Sequence, residues 1–115
     1  MCIRDRVSDG QLIENFVISE LEKRRKLDMI PADQFYYYKS IAGREIDLIF
    51  EVDDTVYAVE IKATKRPGPK DFQNLKQFED GLKRPIKRIL FYPGEEYTTV
   101  EGIRLIPIGA LHRGR

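Results

Sequence analysis

Two short apolar runs, Glu45-Ile46-Asp47-Leu48-Ile49-Phe50 and Val56-Tyr57-Ala58-Val59-Glu60-Ile61-Lys62, flank Asp53-Asp54. Both alternate with the strand period of two, and an acidic dipeptide suits a tight turn, so the segment predicts a β-hairpin. A turn centred on Asp53-Asp54 sets Asp47 opposite Glu60 and Glu45 opposite Lys62. Ile46, Leu48 and Phe50 then meet Ile61, Val59 and Tyr57 on an apolar face that belongs to the core. The other face opposes two carboxylates with Cβ atoms about 4.5–5.5 Å apart, which destabilises a sheet unless positive charge lies between them. A divalent cation meets that need.

The rest of the chain narrows the identity of such a cation. Cys2 is the only cysteine and His112 the only histidine. A cysteine-based zinc site and an intrachain disulfide are therefore excluded, and oxygen ligands point to Mg²⁺ or Mn²⁺. The lone thiol suits a reducing, cytoplasmic setting. With 115 residues, 42% of them hydrophobic, the chain is the size of one domain with a modest core. Twenty Lys and Arg against 19 Asp and Glu leave a net charge of +1, so any polyanion site is local rather than global. No run approaches the ~20 apolar residues of a membrane helix. Residues 1–7, beginning Met1-Cys2-Ile3-Arg4-Asp5-Arg6, fit neither helix nor strand. They read as a non-native or disordered leader before a domain over residues 8–115, itself expected to be the C-terminal part of a longer protein.

Ser8 followed by Gln11 has the form of a capping box, and the segment beyond predicts a helix to about Lys26. Leu12, Ile13, Phe16, Val17, Ile18 and Leu21 form an arc wide enough to lie on a sheet, interrupted at Glu14. An acid there is either a snorkelling boundary residue or part of a site. The run Lys23-Arg24-Arg25-Lys26 complements the negative end of the helix dipole. Gln34 to Lys39 predicts a strand whose Tyr36, Tyr37 and Tyr38 pack rather than stack on bases. Lys65-Arg66-Pro67-Gly68-Pro69-Lys70 is a basic loop, and Asp71 opens a second helix with an apolar stripe of Phe72, Leu75, Phe78 and Leu82. Ile86 to Tyr92 and Ile103 to Ile108 predict further strands, the first parallel to the Val56 strand through a right-handed crossover. The fold class is α/β, a mixed central sheet flanked by helices in the order α-β-β-β-α-β.

Two opposed carboxylates with a lysine two residues along the same strand face are a compact set for phosphodiester hydrolysis. Asp47 and Glu60 would hold a hard divalent ion, and Lys62 would offset charge developing in the transition state. Equally, Lys62 paired across to Glu45 describes an ordinary half-solvated hairpin.

Asp47, a hairpin and then Glu60-x-Lys62, with Glu14 on a preceding helix, resembles the PD-(D/E)XK restriction-endonuclease-like superfamily. Glu14-Asn15-Phe16-Val17 followed by Ser19-Glu20-Leu21, Gly43-Arg44-Glu45-Ile46-Asp47, Val59-Glu60-Ile61-Lys62 and the closing Ile103 to Leu111 are similar to the domain of unknown function at the C-terminus of many bacterial and archaeal AAA+ ATPases. The resemblance implies that Asp47 and Glu60 are metal ligands, Lys62 the catalytic lysine and Glu14 a further acid at the ion. It also implies that Gln73 or Gln77 on the second helix lies near the site. The proline that precedes the first acid in that superfamily is replaced by Ile46. The implied function is a Mg²⁺-dependent nuclease acting on DNA as an accessory domain of an AAA+ ATPase, since the chain has no GxxxxGK phosphate loop of its own. The alternative is a non-catalytic nucleic-acid or protein interaction module on the same fold. Lys65, Arg66 and Lys70 beside the site, with Lys83, Arg84, Lys87 and Arg88 elsewhere, are the cations available for a local nucleic-acid track.

Overall fold

The hairpin forms in the expected register. In the computed structural model β2 (Glu45–Val52) and β3 (Thr55–Ile61) are antiparallel, with Leu48 opposite Val59, Phe50 opposite Tyr57 and Val52 opposite Thr55. Asp53 turns the chain at φ 55°, a left-handed conformation that aspartate tolerates better than most residues. The structure describes residues 9–41 and 43–113, with side chains through Leu111. The leader, Cys2, the capping role of Ser8 and the His112 side chain lie outside the described residues.

Around the hairpin the order is α1 (Asp9–Lys26), β1 (Tyr36–Lys39), β2, β3, α2 (Pro69–Gln77), β4 (Ile86–Tyr92), β5 (Thr98–Val100), β6 (Ile103–Pro107) and α3 (Ala110–Arg113). The six strands form one mixed sheet in the order β1-β2-β3-β4-β6-β5. β1 joins β2 antiparallel, whereas β4 runs parallel to both β3 and β6, as a helical crossover requires. The fold is α/β, with helices on both sheet faces.

Alternation divides the core between those faces. Leu48, Phe50, Val59, Ile61 and Phe91 pack with Val17 and Leu21 of α1. Val56, Ala58, Leu90, Tyr92, Ile103 and Leu105 pack with Phe72, Leu75 and Phe78 on the α2 side. Burying an aliphatic side chain such as Leu75 or Leu90, both fully enclosed, contributes about 1.5–3 kcal/mol.

Ile46 departs from expectation. It is buried, but among the α2-side residues rather than beside Leu48. The reason is a β-bulge. On β1, Tyr36 and Tyr38 are two residues apart, yet their partners on β2, Ile49 and Ile46, are three apart. The extra residue reverses the side-chain alternation between Ile46 and Leu48. Asp47 sits inside the irregularity.

α2 also differs from its expected length. It ends at Gln77, and Leu82, assigned to its apolar stripe by spacing, is 76% exposed. Arg88 of β4 donates from Nε to the Leu75 carbonyl at 2.6 Å and from a terminal nitrogen to that of Phe78 at 2.8 Å. It thus satisfies carbonyls that continued helix would have used. At the other end Asp71 accepts from the Gly68 amide at 2.8 Å, which fixes the entry into α2. β5 and its turn to β6, where Glu101 and Gly102 both adopt positive φ, escape sequence patterning because Glu-Gly is a poor version of the usual Asn-Gly signal.

Candidate functional site

The bulge decides what Asp47 can touch. Freed from strict alternation, its Oδ2 accepts a hydrogen bond from the Ile61 backbone N–H at 2.8 Å. The side chain thereby continues the β2–β3 connection past Leu48 and Val59. Glu60 follows Val56 and Ala58 on the α2 side of β3 and is 3% exposed, the one charged residue among the described residues that is fully buried. Its carboxyl lies within hydrogen-bonding reach of Asp47. Lys62 continues the pairing with β4 through its N–H to the Phe91 carbonyl at 2.9 Å, and its Nζ stands 3.7 Å from Glu60 Oε2. From α1, Glu14 brings its carboxyl within hydrogen-bonding reach of Asp47. Four residues distant in sequence, Glu14, Asp47, Glu60 and Lys62, are thus brought together.

The electrostatics follow from that crowding. Burial, and then the neighbouring Asp47 charge, push the Glu60 carboxyl up to about 8, with Lys62 opposing. Asp47 is also raised by burial, against the Ile61 N–H and Lys62, which favour its ionised form. Burial and Asp47 raise Glu14 in the same direction. Three acids therefore hold protons more tightly than in water, and one lysine is too little to ionise them all.

Other expected neighbours are placed elsewhere. Glu45 forms no ion pair with Lys62; at the start of β2 it is the register partner of Lys39 on β1. There Glu45 Oε1 accepts from the Tyr37 hydroxyl at 2.6 Å and lies 3.8 Å from Lys39 Nζ. The bond to Glu45 raises the Tyr37 phenol to about 12, and the charges of Asp47 and Glu14 add to the effect. Packing accounts for only one of the three tyrosines: Tyr38 meets Phe78 edge to face, whereas Tyr36 and Tyr37 are exposed. In a strand of period two, adjacent tyrosines cannot all face inward.

Gln73 and Gln77 lie with Lys70 and Lys76 along the outer surface of α2, opposite Phe72 and Leu75. The α2 side chain that reaches the site's margin is Asn74, whose Nδ2 donates to the Glu45 carbonyl at 3.2 Å. Lys65 and Arg66 are exposed in the loop that leaves Lys62. Of the more distant cations, Arg88 holds the end of α2, Arg84 pairs with Asp80 and Glu51, and Lys87 lies over the Tyr57 ring. That removes Arg84 and Arg88 from a free basic track.

The donor set is of the chemical type that hard divalent ions take. All its atoms are oxygens, and the acids lack sufficient positive charge of their own. Among the described residues there is no group of three or more His, Cys, Asp or Glu side chains that could hold a metal ion.

No helix among the described residues is long and apolar enough to cross a membrane. No curated protein matches the chain. One family model does, over residues 9–111, from the start of α1 into α3, and by that match the chain belongs to the family described as Domain of unknown function (DUF4143).

Proposed function

We propose that this domain is a divalent-metal-dependent phosphodiesterase acting on DNA, with a site of the PD-(D/E)XK kind, serving as a C-terminal accessory domain of an AAA+ ATPase. The observation that carries it is the burial of Glu60 against Asp47 with the Lys62 ammonium 3.7 Å away. Two carboxylates enclosed against each other weaken a fold and repel phosphate, so a surface that only bound nucleic acid gains nothing from them. Both penalties disappear when a cation is held between them.

Asp47 and Glu60 would hold Mg²⁺ or Mn²⁺ after releasing their protons, and Glu14 would approach through Asp47. When bound, the cation supplies a Lewis acid for the phosphoryl oxygen and an activated water. The Ile61 N–H fixes one oxygen of Asp47, which orients the other. Lys62 stabilises negative charge developing on the phosphoryl group. Its backbone, tied to β4, keeps it on the Glu60 side.

The test is incubation of DNA with the protein, alone and with its parent ATPase, in Mg²⁺ or Mn²⁺. Cleavage abolished by chelator, lost with metal binding in Asp47→Ala, and lost with metal binding retained in Lys62→Ala is the expected result. DNA bound in both metals without a nick overturns the catalytic reading in favour of an interaction module.

A further inference from the structure

Tyr37 stands at the margin of the carboxylate site without any packing role. Tyr37 is 61% exposed on β1, an edge strand of the sheet. Its hydroxyl is nonetheless anchored to Glu45 at 2.6 Å, two residues before Asp47, so the ring is exposed and held in place at once. Lys39, two residues along β1, approaches the same Glu45 carboxylate and remains largely exposed. A fixed aromatic face beside an exposed cation is the pairing by which proteins hold single-stranded nucleic acid, one stacking a base and the other tracking the backbone.

The surroundings set the direction of approach. On the far side of β1, Asp33, Glu51 and Asp53 line a groove of about 190 Å³ beside Tyr36, with no cation among its lining residues. Asp33 and Asp53 repel phosphate there, whereas Glu51 is paired with Arg84. On the other side, beyond Asp47 and Glu60, the chain continues through Lys62 to the exposed Lys65 and Arg66. A nucleic-acid strand is thus favoured over Tyr37 and Lys39 toward Lys62 and disfavoured past Tyr36. Glu60 is also recessed, its side chain 4% exposed, so a flexible single strand reaches it without a second strand having to clear the edge of β1.

Resting on the phosphodiesterase reading above, we propose that Tyr37 is a base-stacking platform beside the carboxylates and that the preferred substrate is single-stranded or unpaired DNA.

The experiment measures fluorescence anisotropy of a labelled oligonucleotide and of its duplex, in Mg²⁺, with the full chain carrying Lys62→Ala to prevent turnover. The single strand is expected to bind more tightly than the duplex. Tyr37→Ala and the bulk-preserving Tyr37→Leu should each weaken single-strand binding roughly five- to a hundredfold, Tyr37→Phe, which keeps the ring but loses the Glu45 anchor, should weaken it less than either, and Tyr36→Ala should change it by less than about threefold. Unchanged single-strand affinity in Tyr37→Ala and Tyr37→Leu, or tighter binding of the duplex, overturns the inference. Cleavage by the unsubstituted protein in the same buffer would leave the phosphodiesterase reading standing in that case. Absence of both binding and cleavage overturns the two together.

Discussion

Two acidic regions of this molecule are built in opposite ways. At one end of the sheet, Asp80 and Glu51 share Arg84, at 2.9 and 3.0 Å, and Asp80 also accepts from the Arg84 backbone N–H. The guanidinium holds the Asp80 carboxyl down at about 2. At the other end, Asp47 and Glu60 crowd each other in a buried position with a single ammonium nearby, and Glu60 is driven up to about 8. The first region is neutralised by its own neighbours and ties α2's exit to the hairpin. The second is left short of positive charge by its own chain. Buried acids short of positive charge cost folding stability, so the second region points to a functional site where an ordinary ion pair does not.

Exchanging residues between these states is the way to break the contrast. The largest expected effect is on catalysis: Lys62→Ala should lower cleavage about 10²–10³-fold, as for loss of one transition-state charge donor, with Mn²⁺ affinity by calorimetry little changed. Equal loss of activity and metal affinity would instead make Lys62 a structural counter-ion. Next, Glu14→Ala should weaken Mn²⁺ binding roughly tenfold while the thermal transition stays cooperative, as for an outer residue that orients a ligand. Unchanged affinity would return Glu14 to the class of boundary acids.

Stability against pH separates the regions without any substrate. Glu60 is raised in the folded state, so its contribution is fully present below the ordinary glutamate range and lost as pH climbs through about 8. Asp80 is lowered, so its contribution is present above the ordinary aspartate range and lost only as pH falls toward about 2. Melting of the metal-free protein should therefore fall as pH rises from about 4.5 to about 8 and level off above that, and Glu60→Gln should flatten that fall. Saturating Mg²⁺ should flatten it in the unsubstituted protein alone. A flat profile without metal would contradict the crowding of Asp47 and Glu60. The smallest effect is expected from Asp80→Asn, a partly buried partner of Arg84 away from the carboxylate site, whose loss should shift the melting temperature slightly and leave its Mg²⁺ dependence intact.

Much of this site is legible before any coordinates. Period-two alternation about Asp53-Asp54 places Asp47 and Glu60 together, and i to i+2 spacing keeps Lys62 with Glu60. The register agrees from Leu48 and Val59 to Val52 and Thr55. Glu14 stands out as an acid interrupting the apolar arc of α1. What is not legible is the bulge. Nothing in Tyr36-Tyr37-Tyr38 or Glu45-Ile46-Asp47 announces that two residues of β1 will span three of β2, because a bulge arises from how paired strands twist and pack.

That irregularity moves Ile46 to the α2 side and contains Asp47, which accepts the Ile61 N–H, while Glu45 pairs with Tyr37 and Lys39 of β1. The truncation of α2 has a similar origin: Leu82 fits the helical stripe by spacing, but Arg88, a residue of β4, caps the carbonyls at Leu75 and Phe78 first. The sequence by itself determined which residues alternate, hence the α/β class, the hairpin and the membership of Asp47, Glu60 and Lys62 in one group. Only the tertiary structure decided how far their charges are enclosed and which neighbours remain for Glu45, Arg84 and the α2 glutamines. Alternation is a local property of the chain, whereas burial and charge pairing depend on elements that meet only after folding.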